Sequence, residues 1–212
     1  MANKPRQWDI FCFAALKTQN MPLLGGVMFS WRDRAMNIRE ATKSDWENIW
    51  PIFSEIVSAG ETYAYDPATT KEQAEKIWLE TPRKVYVFEE DGEIFGTYYL
   101  KTNQAGPGNH VCNCGYMVSS AARGKGLATS MCEHSQQIAI DLGYLAMQFN
   151  FVASSNEGAV RLWDKLGFET VGRLPKAFNH PNLGYVDALV MYKWLAKTEQ
   201  VPATDRQKCH SN

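Results

Sequence analysis

Apolar positions along the chain change period several times, and each change marks an element. Residues 36–40 read as a short strand. Thr42, three residues ahead of Asp45, is a helix-entry signal. Trp46, Ile49, Trp50, Phe53, Ile56 and Val57 then recur at helical spacing up to Gly60. Pro51 falls inside that run and predicts a kink or a split. Thr70 with Gln73 forms a capping box for a second helix through about Leu79. "KVYVFEEDGEIFGTYYLK" predicts two strands around an Asp91-Gly92 hairpin turn. "GPGN" reads as a loop, "HVCNCGYMV" as a strand, residues 125–142 as a helix and "LAMQFNFV" as a strand. A helix over 156–166, ended by Gly167, and the strands "FETVGRL" and "YVDALVMYKW" complete the run. The order predicts one α/β (α+β) domain: a mixed central β-sheet flanked by helices on both faces, antiparallel early, with a β-α-β crossover in the middle. In open sheets of this type ligands sit where strand ends meet helix N-termini.

Residues 1–35 do not continue the pattern. Two apolar patches there are broken by a polar stretch at 17–20 and by Pro22 and Gly25-Gly26. Neither reaches the roughly 18 residues of a membrane span, and no cleavage site marks a signal peptide. We expect a leader or N-terminal extension over 1–35, a folded domain over 36–196 and a polar tail over 197–212. The 212 residues carry a formal net charge of −1. That excludes a broad electrostatic footprint for nucleic acid or an anionic membrane, so any phosphate binding must be local. Five cysteines are an odd number without framework spacing, which reads as reduced thiols in a cytoplasm. Cys112 and Cys114 alternate, so they share one face of their strand. The histidines show no ligand spacing, and no metal is expected.

The chemistry begins at "VSSAARGKGLATSM". Arg123, Gly124, Lys125 and Gly126 form a basic, glycine-rich turn between a strand and a helix. A helix N-terminus offers unpaired N–H groups, and glycines let the backbone close around an anion. A P-loop would need Gly-x-x-x-x-Gly-Lys-Ser/Thr, which is absent, and the turn does not sit on the first strand of a dinucleotide unit. A bare structural turn remains the alternative. The second stretch is "SSNEGAVRLWDKLGFETVG", with Asn156 at a helix start and Ala159, Leu162, Trp163 and Leu166 on one face.

Together these stretches resemble the GNAT superfamily of acetyl-coenzyme A N-acetyltransferases. Arg123-x-x-Gly126-x-Ala128 resembles the family's pyrophosphate motif, and Asn156…Ala159…Leu162-Trp163…Leu166-Gly167-Phe168 resembles its second conserved segment. The resemblance covers most of 36–194 and makes 36–196 an expected N-acetyltransferase domain using acetyl-CoA. It implies that the amides around Met117 and Val118 pair with the pantetheine arm. It implies that Arg123, Gly124, Lys125, Gly126, Leu127, Ala128 and Thr129 hold the pyrophosphate, and that Asn156 contacts the cofactor. "CNCGYMV", "FNFVASSN" and "VRLWDKLGFETVGRLP" are further similar to fungal enzymes that acetylate azetidine-2-carboxylate and related proline analogues. That likeness implies that Asn113 and Asn150 touch an amino-acid substrate, that "GETYAYDP" is a substrate-side loop, and that the role is detoxification of amino-acid analogues.

Acetyl transfer needs a neutral amine, a site for the thioester oxygen and a proton for the leaving thiol. Many superfamily members place a tyrosine acid where this chain has Trp163. No Asp or Glu lies on "HVCNCGYMV" to act as a base. Positioning and desolvation should therefore carry catalysis, with water or the substrate's carboxylate moving protons. Asn113 and Asn150 read either as hydrogen-bonded core amides or as substrate-orienting amides, since an amide both donates and accepts. Tyr116, Tyr65 and Phe178 are candidate walls of the acceptor pocket. A Cys112 or Cys114 nucleophile is disfavoured because nothing adjacent lowers a thiol pKa. A peptide or protein N-acetyltransferase, a non-catalytic acetyl-CoA-binding module and a homodimeric assembly stay open.

Overall fold

The computed structural model describes residues 37–196; the expectations for 1–35 and 197–212 lie outside them. The elements run β1 (Asn37–Glu40), α1 (Trp46–Ala59), α2 (Lys71–Glu75), β2 (Lys84–Glu90), β3 (Glu93–Thr102), β4 (Val111–Val118), α3 (Leu127–Asp141), β5 (Ala146–Ala153), α4 (Glu157–Lys165), β6 (Glu169–His180) and β7 (Gly184–Trp194). One seven-stranded sheet has the order β1-β2-β3-β4-β5-β7-β6. Every neighbouring pair is antiparallel except β4 and β5, which α3 connects as a parallel crossover. The expected mixed sheet and the Asp91-Gly92 hairpin are both present. Asp91 at φ 51° and Gly92 at φ 82° supply the left-handed pair such a turn needs.

Two apolar layers cover the sheet. On one face α1 and α2 bury Ile49, Phe53, Val57 and Trp78 against Val85, Val87, Tyr99 and Met117. On the other, α3 and α4 bury Met131, Cys132, Ala139 and Trp163 against Tyr98, Leu100, Cys112, Cys114, Phe149 and Met191. Tyr99 and Leu100 fall on opposite faces because strand side chains alternate. The same alternation puts Cys112 and Cys114 together on the α3/α4 side, as their spacing predicts.

Three local expectations change. Pro51 does not split α1, which runs unbroken through it. Pro51 and Glu47, whose carbonyl lies one turn earlier, are both exposed, so water can satisfy the carbonyl. A proline inside a helix costs about 3 kcal/mol. Burying Trp46, Ile49, Ile52, Phe53 and Val57, at about 1.5–3 kcal/mol each, outweighs it. The second helix is α-helical only over Lys71–Glu75 and widens into a π turn over Lys76–Glu80, closed by the Thr81 N–H on the Lys76 carbonyl at 3.0 Å. β6 runs past the expected segment to His180, with a bulge between Leu174 and Phe178. Pro175, which can donate no ladder bond, falls within that bulge.

The predicted caps hold. The Gln73 amide oxygen accepts from the Thr70 N–H at 3.0 Å, and Thr70 Oγ1 accepts from the Gln73 N–H at 3.3 Å. Asp45 accepts from the Thr42 N–H at 2.7 Å and also receives both terminal nitrogens of Arg39 at 2.8 Å. The guanidinium holds the Asp45 carboxyl well below the usual range. Trp78 is fully buried, and its indole N–H donates to Thr97 Oγ1 at 3.1 Å. Thr97→Val keeps the volume and strands that N–H. We expect it to lower stability by about 1–3 kcal/mol, read as a shift in the urea midpoint at unchanged slope.

Candidate active site

The site follows from one break in the sheet. β4 pairs with β5 only at Val111, Cys112 and Asn113. Beyond that point β4 stays with β3 while β5 stays with β7, and a bulge between Phe149 and Val152 bends β5. The two strands part and open a cleft of about 780 Å³. Both faces of the sheet reach it.

On the α3/α4 side the cleft meets the glycine turn. Gly124 has φ 76° and Gly126 φ 85°, a backbone region L side chains rarely adopt, and nothing stands within 4 Å of where either Cβ would project. Two left-handed glycines, open space and the unpaired N–H groups of the first turn of α3 together fit a pyrophosphate. Val118, Arg123, Gly124 and Ala128 line the cleft. Lys125, Gly126, Leu127 and Thr129 lie on the turn and the start of α3 but outside the lining, with Leu127 buried. The Met117 side chain is buried in the α1/α2 layer, so only its backbone remains for a ligand. Arg123 reaches Glu55 of α1 at 3.8 Å, and Ser120 donates to the same carboxylate at 3.3 Å. Asn156 caps α4, its Oδ1 accepting from the Ala159 N–H at 3.3 Å, and also lines the cleft.

Trp163 lies between Tyr116 and Phe149, each ring centroid 5.1 Å away. An indole offers one N–H donor and no useful acid. Tyr116 presents its ring to the cleft but turns its hydroxyl into the α3 layer, 2.7 Å from Ser135 Oγ. Burial pushes the Cys112 thiol up to about 12 and holds the Cys114 thiol well above its usual value. Both are therefore protonated near neutrality and poor nucleophiles.

On the α1/α2 side the cleft is polar and aromatic. Asn113, 5% exposed, sits at the last paired position of β4. Its Nδ2 donates to the Gln148 carbonyl at 2.9 Å, and its Oδ1 accepts from the Tyr99 hydroxyl at 3.0 Å. It is thus a bonded core amide that also faces the cleft, with one N–H and one lone pair left to offer. Asn150 is exposed, accepts from Gln148 Nε2 at 2.8 Å and donates to Asn103 Oδ1 at 2.7 Å. Tyr65 stacks between Phe53 and Tyr63, at 5.8 and 5.6 Å. Tyr63 donates to the Tyr116 carbonyl at 2.8 Å, tying the 60–67 loop to the freed part of β4. Asn113, Asn150, Tyr116 and Tyr65 thus line one cavity. Phe178 does not: it is buried on β6, 6.1 Å from the Phe151 ring, which itself faces the cleft.

Sequence reasoning missed Tyr63, Tyr99, Lys101 and Glu61, all of which line the cleft. Tyr63 and Glu61 lie in the "GETYAYDP" loop that had been singled out as a whole. Tyr99 had a subtler signal in Gly115, which sits opposite it. A Cβ on Gly115 would lie 2.6 Å from Tyr99 Cε1, so the missing side chain is the space the ring occupies. Gly115→Ala should push that ring away and break its bond to Asn113. We expect a loss of about 1–3 kcal/mol, as for other overpacked sites, checked by thermal unfolding beside the milder Tyr99→Phe.

Among the described residues no group of three or more His, Cys, Asp or Glu is placed to hold a metal, and no helix is long and apolar enough to cross a membrane. Comparison with known proteins adds the family. The pattern of the Acetyltransferase (GNAT) family matches residues 46–168. N-acetyltransferase aca1 of Schizosaccharomyces pombe is 27% identical over 151 residues, covering 63% of this chain and 72% of that protein. A GCN5-related N-acetyltransferase from Kribbella flavida superposes with a TM-score of 0.73 at 44% identity, covering 76% of this chain and 98% of that one. A phosphinothricin acetyltransferase from Sinorhizobium meliloti, solved with acetyl-CoA, shares the fold with a TM-score of 0.69 at 19% identity, covering 80% and 94%. The match over 46–168 covers more than half of the sequence, and the chain belongs to the GNAT family of acetyltransferases.

Proposed function

We propose that this protein moves the acetyl group of acetyl-CoA directly to the amine of a small amino-acid-like substrate, without an acyl-enzyme. The observation that carries this reading is the division of the cleft along β4: an anion-binding turn beyond the end of the strand, and an amide-lined pocket further back at Asn113. Acetyl-CoA supplies an acetyl thioester already activated toward an amine. The turn from Arg123 to Thr129 would hold its pyrophosphate through the α3 amides and Arg123. The backbone of Met117 and Val118, free of β5, offers a strand edge to the pantetheine arm. Asn156 sits where it can reach the same arm.

Asn113 and Asn150 would orient the acceptor, the spare N–H toward an acidic group and the spare lone pair toward the amine. Tyr65 and the Tyr116 ring wall that pocket. Burial raises the pKa of Tyr63, Tyr65 and Tyr99, so each remains a neutral donor and none is a base near neutrality. The amine therefore enters by losing its proton to water or to the substrate's own carboxylate. The chain's contribution is alignment and exclusion of solvent. A reduced cytoplasmic compartment suits the buried free thiols Cys112, Cys114 and Cys132. Disposal of toxic amino-acid analogues is the role such an activity serves.

Thiol release across azetidine-2-carboxylate, other cyclic amino acids, phosphinothricin, polyamines and short peptides tests the reading. Turnover confined to peptides would replace it with peptide acetylation. Two variants should separate the faces. Gly126→Val, strained at positive φ and intruding on the turn, should weaken acetyl-CoA binding at least ~10-fold by calorimetry. Asn150→Ala, on an exposed side chain, should raise the acceptor KM about 3–10-fold with little change in melting temperature. The pH profile provides a further check. kcat/KM should rise with pH through the pKa of the acceptor amine, and should move when an acceptor of different amine pKa is used. An inflection that stays in place across acceptors would reveal a protein base.

A further inference from the structure

We infer that Lys101 is the residue that binds the acceptor's anionic group, so that the preferred substrate is an amine bearing a carboxylate. This deepens the reading of the cleft as an amino-acid site and rests on it.

Three charged side chains line the cleft: Glu61, Lys101 and Arg123. Arg123 belongs to the glycine turn and pairs with Glu55. Glu61 accepts a long contact of 3.4 Å from the Asn182 amide. Lys101 differs from both. It lies on β3 directly opposite Asn113. It follows Leu100, which faces the α3/α4 layer, so it projects to the α1/α2 face, with Tyr99. Its cross-strand neighbour Asn113 lies five residues before Val118, toward the end of β4 away from the glycine turn, so the pyrophosphate is not its partner. Its Nζ rests 5.2 Å from the centroid of the Tyr99 ring, the same ring whose hydroxyl fixes Asn113. Among the described residues no carboxylate stands within ion-pairing distance of it. The neighbouring groups, Asn113, Asn150 and Asn103, are dipoles without charge.

A half-buried ammonium on an aromatic face, without an ion-pair partner among the described residues and opposite the Asn113 amide, is a positive point in the pocket wall. The group that completes it is an anion, since a charge-assisted hydrogen bond is about twice as strong as a neutral one. A carboxylate placed there has the Asn113 and Asn150 amides beside it. The amine of the same small molecule is then left to face the opening between β4 and β5. A neutral amine gains nothing from Lys101, and a cationic polyamine is disfavoured by it. Acceptor selectivity would thus be set from β3, outside both the glycine turn and the Asn156–Phe168 stretch.

The test compares azetidine-2-carboxylate, its carboxamide and azetidine, with each rate referred to the neutral amine at the pH used. The wild-type chain should prefer the carboxylate at least ~10-fold in kcat/KM. Lys101→Met, which keeps the apolar stem over Tyr99, should raise the KM for the carboxylate ~10-fold or more and leave azetidine and the acetyl-CoA Kd unchanged. Lys101→Arg should restore part of the preference. Calorimetric binding of azetidine-2-carboxylate to both variants gives a readout independent of turnover. If Lys101→Met keeps the full carboxylate preference, or if the wild type acetylates all three equally, the assignment of Lys101 is overturned while the small-amine reading stands. If the wild type binds acetyl-CoA but acetylates none of a wider panel of small amines, both fall together.

Discussion

The structure depends on a pairing that is not made. A parallel strand pair normally satisfies both backbones along its length, and an unpaired edge inside a sheet is costly unless something else fills it. Here β4 and β5 share a ladder only as far as Asn113. Beyond it, β4 leans on β3 and β5 leans on β7, the β5–β7 ladder being broken only by the bulge between Phe149 and Val152. The vacant edges remain as donors and acceptors lining a cleft. The sheet stays whole because Asn113 bridges the last rung with its own side chain, donating to the Gln148 carbonyl. One amide therefore marks where structure stops and binding begins.

What surrounds the opening follows from which face each residue takes. Alternation sends Leu100, Cys112 and Cys114 to the α3/α4 layer and Tyr99, Lys101 and Asn113 to the other. The layer below is apolar, with its thiols held protonated by burial. The layer above is polar and aromatic, roofed by a loop anchored through the Tyr63 hydroxyl on the Tyr116 carbonyl. The cleft thus meets an apolar layer on one side and a polar, aromatic one on the other, with the Tyr116 ring between them.

The fold was largely legible because its elements change period cleanly. The Asp91-Gly92 turn, the Thr70 box and the glycine-rich entry to α3 each have a local physical cause that a sequence carries openly. The corrections came where tertiary burial overrode local preference, as at Pro51 and in the π turn carrying Trp78. The glycine-rich part of the cleft was legible for the same reason as the turns: it is built from one continuous stretch. The amide-lined part was only half legible. Asn113 and Asn150 stand out as polar residues in apolar strands. Lys101 and Tyr99 look like ordinary strand residues until the register sets them opposite Asn113 and Gly115. Phe178 lies outside the lining, buried on the extended β6 with its ring 6.1 Å from that of Phe151, an extension the pattern did not show.

The bulge in β6 governs the outer margin of the sheet. Among the described residues β6 is the last strand, and Val171 and Leu174 stand exposed along it, 58% and 43% accessible. A long, flat margin of that kind invites another chain to add itself strand by strand. Pro175 supplies no donor there, Lys176 turns to φ 53°, and Asp187 takes the Lys176 N–H at 2.9 Å. Among the described residues the regular edge is interrupted just past Leu174, and a bulge of that kind makes an edge strand a poorer template for a second chain.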